Sequence, residues 1–118
     1  MTRTVLIVDA HPSFRATARA LLEAEGFEVV GEARDGSEAL RLAAELHPEV
    51  VLLDVQLPDT TGFEVAAALD RTNGDAPEVV LVSSRDAADY GELLLACGAR
   101  GFVPKGDLSG PAVRALLG

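Results

Sequence analysis

Asp9, Asp54, Ser83 and Lys105 each close a short apolar run: "TVLIVD" (4–9), "EVVLLD" (49–54), "EVVLVSS" (78–84) and "RGFVP" followed by Lys105. Two carboxylates that meet repel one another, and a desolvated carboxylate is costly, so such a pair calls for a divalent cation or an ammonium beside it. No histidine–cysteine cluster accompanies these acids, so a hard, oxygen-preferring ion such as Mg²⁺ suits them better than zinc. An ion and an ammonium neutralise phosphoryl oxygens, and a hydroxyl donates a hydrogen bond to them. A carboxylate can itself be the nucleophile, giving an aspartyl phosphate. Taken singly, each residue has a plainer reading: an Asp or Ser after a strand is often a turn former, and a lysine is usually a surface charge. Lys105 is the only lysine, beside nine arginines scattered along the chain. Four such groups at four strand ends are much harder to dismiss.

The elements that would position them alternate along the whole chain. The run 4–9 is short, apolar and β-branched, which reads as a buried strand. Residues 13–25 place Phe14, Ala18, Leu21 and Leu22 on one helical face, and Gly26 ends the run. Strand 27–33 follows, then a turn at Asp35-Gly36 and a helix over 37–46 that Pro48 breaks. After strand 49–54 come a Pro/Asp/Thr/Gly loop (55–62), an Ala-rich helix (63–71) and a loop (72–77). Strand 78–84 leads to a helix over 86–97 with Gly98 as C-cap. Strand 100–104 leads to a last helix capped by Ser109, with Pro111 in its first turn. Five β-α units with near-continuous apolar strands predict an α/β fold: a doubly wound parallel sheet of five strands in three α/β/α layers. In such sheets ligands sit outside the carboxyl ends of the strands, near the topological switch point. With the order 2-1-3-4-5, strands 1 and 3 are central neighbours and their two acids adjoin.

The 118 residues correspond to one domain, 1–118, with nearly half its residues apolar. The formal net charge of −9 argues against sequence-independent nucleic-acid binding by this chain. No apolar run approaches the ~20 residues that span a bilayer. The N-terminus does not read as a signal peptide, and the lone Cys97 has no internal partner, which fits a reducing cytoplasm.

"VLIVDAHPSFR", "VVLLDVQLPDTTGFE", "VVLVSSRD" and "GARGFVPK" resemble the signature segments of bacterial two-component response-regulator receiver domains, over about residues 4 to 117. "LLDVQLPDTTG" is the most specific stretch: an acidic residue, Pro58 four on and Gly62 eight on. The resemblance implies a flavodoxin-like fold and a phosphorelay switch rather than an enzyme. It implies that Asp54 is the phosphoacceptor, fed by a sensor histidine kinase or phosphotransfer protein. Asp9, Asp54 and the backbone carbonyl of Gln56 would hold Mg²⁺. Ser83 would be the switch hydroxyl, Phe102 the aromatic that moves with it, and Lys105 the partner of the phosphoryl oxygens. Small Ser84 would leave access to the acyl phosphate, and the side chains of Gln56 and Arg85 would tune its hydrolysis. Helix 1, with Phe14, Arg15 and Arg19, would meet the kinase. The helix 4–strand 5–helix 5 face would meet an effector protein, with Tyr90, Leu93, Leu95 and Val113 as candidates. The protein would be cytoplasmic, and a monomer or a phosphorylation-dependent dimer. With Gly118 at a C-cap position, a stand-alone receiver is the expected organisation.

One position departs from the family pattern. A second acid is expected directly after Asp9, and Ala10 stands there. A neutral imidazole is a poor Mg²⁺ ligand, so His11 is expected in the loop and the ion site is expected to be weakened. Two readings follow: a working receiver with a weakened Mg²⁺ site, or a degenerate receiver acting as a protein-interaction module. Asp54, Ser83, Phe102 and Lys105 are all present, which favours the first.

Overall fold

The apolar runs become five parallel strands. The computed structural model describes residues 2–70 and 76–117. Its strands are β1 (Thr4–Val8), β2 (Glu28–Ala33), β3 (Val50–Asp54), β4 (Glu78–Ser83) and β5 (Gly101–Pro104). Between and after them lie α1 (Pro12–Ala24), α2 (Gly36–Leu46), α3 (Gly62–Asp70), α4 (Leu93–Ala96) and α5 (Gly110–Leu117). The sheet order is β2-β1-β3-β4-β5 and every pairing is parallel, as the alternation predicts.

Side chains alternate across the sheet and divide the core in two. Val5, Ile7, Val50, Leu52, Val80 and Val82 face α1 and α5, where they meet Ala18, Leu22, Val113 and Leu117. Leu6, Val8, Val51, Leu53, Val79 and Leu81 face the other layer, under Ala39, Ala43, Val65 and Leu69 of α2 and α3. Because both faces are covered, β3 is buried at every residue, which is why it reads as an unbroken apolar run.

Local signals set the helix ends. Pro12 occupies the first turn of α1, and Gly26 takes φ 96° beyond its end. Asp35 caps α2 by accepting the Glu38 N–H at 2.8 Å, and Ser109 Oγ accepts the Ala112 N–H at 3.1 Å at the start of α5.

The continuous helix expected over 86–97 is not formed. A 3₁₀ turn (Ala87–Asp89) is followed by a turn through Tyr90 and Gly91, and only Leu93–Ala96 is α-helical. Gly91 sits at φ 55°, in the left-handed region, so the right-handed helix cannot run through it. The expected loop over 72–77 lies largely outside the described residues, as do position 71 of the expected helix over 63–71, the expected cap at 118 and the side chain of Leu95.

Gly62 holds α3 against the end of β3. A Cβ there would strike the backbone carbonyl oxygen of Asp54 and approach Val55 Cα to 2.9 Å. Its N–H donates to the Val55 carbonyl at 2.7 Å. This close approach is the physical content of the Asp54-to-Gly62 spacing. Gly62→Ala is expected to destabilise the chain by about 1–3 kcal/mol, since the colliding atoms are backbone and cannot swing away. Urea unfolding of the two proteins measures it.

Candidate functional site

β1 and β3 lie side by side, so the residues that end them are neighbours. Asp9, just past β1, is fully buried, and Asp54, the last residue of β3, is 3% exposed. The Asp9 backbone is fixed from two sides: its N–H donates to the Ala33 carbonyl at 3.0 Å, and its carbonyl accepts from Arg15 Nη1 at 2.6 Å. Arg15 and Arg19 both also bind Glu32 of β2, at 3.0 and 2.9 Å. Through Glu32 these two arginines hold α1 against the strand that flanks Asp9.

Lys105 reaches both acids. Its Nζ lies 2.6 Å from Asp9 Oδ2 and 3.3 Å from Asp54 Oδ2, and it rests 4.5 Å above the centroid of the Phe14 ring. The contact to Asp9 Oδ2 is one of charge: that buried oxygen has no hydrogen bond of good geometry. Asp9 Oδ1 accepts the His11 N–H at 2.8 Å, with His11 Nδ1 at 3.1 Å. His11 lies in the loop at the N-cap of α1 with its ring exposed, as expected. Asp54 Oδ1 accepts the Gln56 N–H at 3.2 Å.

The two acids are pushed apart in acidity. Burial raises the Asp54 pKa and the Asp9 charge adds to this, which outweighs the Gln56 N–H and Lys105. Burial also acts to raise Asp9, but Lys105 and the His11 N–H and ring more than reverse it, so Asp9 is held below the usual range.

The donor atoms of Asp9, His11 and Asp54 lie within 4.8 Å of one another. Carboxylate oxygens are the donors a hard divalent cation prefers, and Asp9 Oδ2 is a buried acceptor without a directed hydrogen bond. The residues present therefore fit such an ion.

Of the remaining expected residues, Ser83 closes β4 and is fully buried. Its hydroxyl does not bond to the acids or to Lys105: it lies 2.6 Å from the Tyr90 hydroxyl and accepts the Arg85 N–H at 3.1 Å. Phe102 is half-buried on β5, with its ring centroid 5.9 Å from that of Tyr90. Gln56, Ser84 and Arg85 are exposed. Among the candidates for the effector face, Val113 is core, Tyr90 turns inward and Leu93 is 54% exposed.

Sequence reasoning missed Asp59. Its two oxygens accept the Gly36 and Ser37 N–H groups at 2.8 and 3.0 Å, tying the loop after Asp54 to the N-terminus of α2. Those two N–H groups hold the Asp59 pKa low. The signal was a carboxylate after Pro58, legible as a turn former but silent about which helix it would cap.

A parallel sheet of this order, with two acids and a lysine gathered where β1, β3 and β5 end, is the receiver architecture. The chain belongs to the response regulator receiver domain family, whose model matches residues 5–109. It is 40% identical over 103 residues to the response regulator GacA of Pseudomonas aeruginosa, covering 86% of this chain and 48% of that protein. It is 39% identical over 105 residues to the virulence-factor transcription regulator BvgA of Bordetella pertussis, covering 89% and 50%. The signal receiver domain of the NarL response regulator from Mycobacterium tuberculosis superposes with a TM-score of 0.85 at 38% identity, covering 98% of this chain and 94% of that one. The chain thus spans about half the length of these full-length relatives. Its place is in phosphorelay signalling by two-component systems, in a family that binds Mg²⁺ through acidic residues and works with histidine kinases and effectors.

Removing either kind of charge from the cluster has opposite effects on stability. Lys105→Met leaves two buried acids without their cation and is expected to cost about 3–5 kcal/mol near neutral pH. That loss shrinks as the acids protonate at low pH. Asp54→Asn removes the acid that burial disfavours and is expected to stabilise by about 1 kcal/mol. Because the folded-state pKa of Asp54 is raised, this gain is absent below the ordinary carboxylate range. It grows as pH rises through the window up to the folded value and is constant above it. Thermal unfolding as a function of pH reads both effects.

Proposed function

We propose that Asp54 is the phosphoacceptor of this receiver and that Asp9, Lys105 and Ser83 serve the acyl phosphate it forms. The observation that carries this reading is the near-complete burial of the Asp54 carboxylate beside Asp9, with Lys105 bridging the two at the carboxyl edge of the sheet. A carboxylate oxygen of Asp54 bonds to phosphorus as the bond from phosphorus to a histidine nitrogen of the donor breaks, and that nitrogen keeps the electron pair. The raised pKa of Asp54 makes its carboxylate a more basic nucleophile than an ordinary aspartate, at the expense of the ionised fraction in acid. Lys105, already 3.3 Å from Asp54, stays with the phosphoryl oxygens. Ser83 supplies a hydroxyl, Phe102 moves with it, and the exposed Gln56, Ser84 and Arg85 set access and the rate of hydrolysis.

Asp9, Asp54 and the Gln56 carbonyl would hold Mg²⁺, which supplies charge neutralisation for the transferred group. Ala10 removes one carboxylate from reach, so the site binds the ion more weakly than one with a second acid.

A shallow cleft of about 430 Å³ between α1 and the residues after β5 opens beside the cluster, lined by Ser13, Phe14, Thr17, Leu21, Lys105 and Leu108. Lys105, which contacts Asp54, lines this cleft, and a sensor kinase or phosphotransfer protein would dock its donor histidine on this side of the molecule. The output is a protein effector reached through the α4–β5–α5 face, and the relatives' role in transcription suggests the class of process controlled. The chain acts in the cytoplasm as a switch rather than an enzyme, as one domain over 1–118, monomeric or dimeric on phosphorylation. No helix among the described residues is long and apolar enough to cross a membrane.

Incubation with acetyl phosphate and millimolar Mg²⁺ is expected to add one phosphoryl mass to the chain, and Asp54→Ala is expected to lose it. Intact-mass spectrometry reads the result; an unmodified wild type would leave the chain as an interaction module. Ala10→Asp is expected to tighten Mg²⁺ binding roughly tenfold or more, each tenfold being about 1.4 kcal/mol. Titration calorimetry measures this, and equal affinities would refute the account of Ala10.

A further inference from the structure

Tyr90 is the only tyrosine of the chain, which has no tryptophan. Its place was not foreseeable from a helical reading of residues 86–97, because it sits in the turn that Gly91 creates. There its ring stands edge-on to Phe63 of α3, with centroids 5.4 Å apart, and tilted against Phe102 of β5. Its hydroxyl lies 2.6 Å from Ser83 Oγ.

Ser83 is fully buried, and its oxygen also takes the Arg85 N–H. A serine hydroxyl has one proton and two acceptor sites. With Arg85 and Tyr90 as partners, the hydroxyl is engaged outside the cluster of Asp9, Asp54 and Lys105. The Asp9, Asp54 and Lys105 side chains are all within 3.3 Å of a member of their own cluster, and none of them is a hydrogen-bond partner of Ser83. A phosphoryl group on Asp54 would need that hydroxyl as a donor.

We propose that Tyr90 is a positioning residue that restrains the switch: its hydroxyl holds Ser83 in the resting orientation and competes with the phosphoryl group for it. This rests on the roles of Asp54 and Ser83 given above. Release of Ser83 toward Asp54 takes the hydrogen bond from Tyr90. The phenol then loses its one buried partner, and the ring is free to leave its place between Phe63 and Phe102. Tyr90 thereby couples the chemistry at Asp54 to the aromatic cluster under the α4–β5 face. The cost of breaking the pair falls on the phosphorylated state, so the lock lowers the receiver's affinity for a phosphoryl group.

Beryllium fluoride with Mg²⁺ is the probe, standing in for the phosphoryl group, and four proteins are compared: wild type, Tyr90→Phe, Ser83→Ala and the double variant. Tyr90→Phe keeps the ring and removes the hydroxyl. It is expected to bind the probe roughly 3- to 10-fold more tightly, the worth of one hydrogen bond. In the Ser83→Ala background the same change is expected to do nothing. Because Tyr90 is the only tyrosine, ultraviolet absorbance reports it alone. The wild-type spectrum is expected to shift on binding, and Ser83→Ala is expected to show the shifted spectrum before any probe is added. Weaker binding by Tyr90→Phe would mean the phenol assists Ser83 and would overturn the lock. An equal effect in both backgrounds, or a resting spectrum unchanged by Ser83→Ala, would overturn it too. In each of these cases the Asp54 reading stands; a wild type that binds no probe sinks that reading and the lock with it.

Discussion

The Lys105 ammonium stands 2.6 Å from Asp9 and 3.3 Å from Asp54, and two carboxylates this deeply buried could not share one edge of the sheet without it. Like charges at this range disfavour joint ionisation, and burial strengthens the effect by removing the solvent that would screen it. Lysine answers both problems only in part. With the His11 contacts it holds the Asp9 pKa low, and it leaves that of Asp54 raised. The asymmetry follows from position. Asp9 has the nearer ammonium and two contacts from His11, whereas Asp54 has a more distant ammonium and one backbone N–H. The carboxylate left under-compensated is the one that ends the central strand β3.

The surrounding fold can be understood as the means of holding that imbalance in place. Arg15 ties the carbonyl of Asp9 to Glu32, so the acid cannot rotate away from Lys105 by local unwinding. Gly62 lets α3 start against the backbone of Asp54, and Asp59 pins the intervening loop to α2. Both devices act on backbone rather than on the reacting side chain. They leave the carboxylate itself open to change partners, which a switch requires, while fixing the frame against which the change is measured.

The strand ends were legible in the sequence because a parallel sheet covered on both faces writes its strands as apolar runs, and any charge that closes such a run must sit at the rim. Asp9, Asp54 and Lys105 were found that way; the meeting of the two acids follows from the strand order, whereas Lys105 reaches them across the end of β4 through its long side chain. Ser83 was found too, but not its partner. Tyr90 reads as an exposed residue of an amphipathic helix until Gly91 is seen to take a left-handed conformation and turn the chain. Asp59 was missed, and the reach of Arg15 to Asp9 and Glu32 was not foreseen, for a similar reason: local sequence announces a turn carboxylate or a helical arginine, but which helix end or which strand it reaches depends on tertiary packing. Local signals named the charges at the centre; the residues that restrain them were set by three-dimensional neighbours.

Ala10 acquires a different meaning once the charges are counted together. Asp9, Asp54 and Lys105 sum to one net negative charge at rest. An acyl phosphate on Asp54 replaces one carboxylate charge with about two phosphoryl charges, so the sum becomes about two negative charges. A divalent cation then brings the site to neutrality, whereas a third acid at position 10 would leave it about one charge short. On the proposed reading, the missing carboxylate would weaken ion binding at rest, when an acid is what attracts the ion, and would lessen repulsion of a phosphoryl group on Asp54.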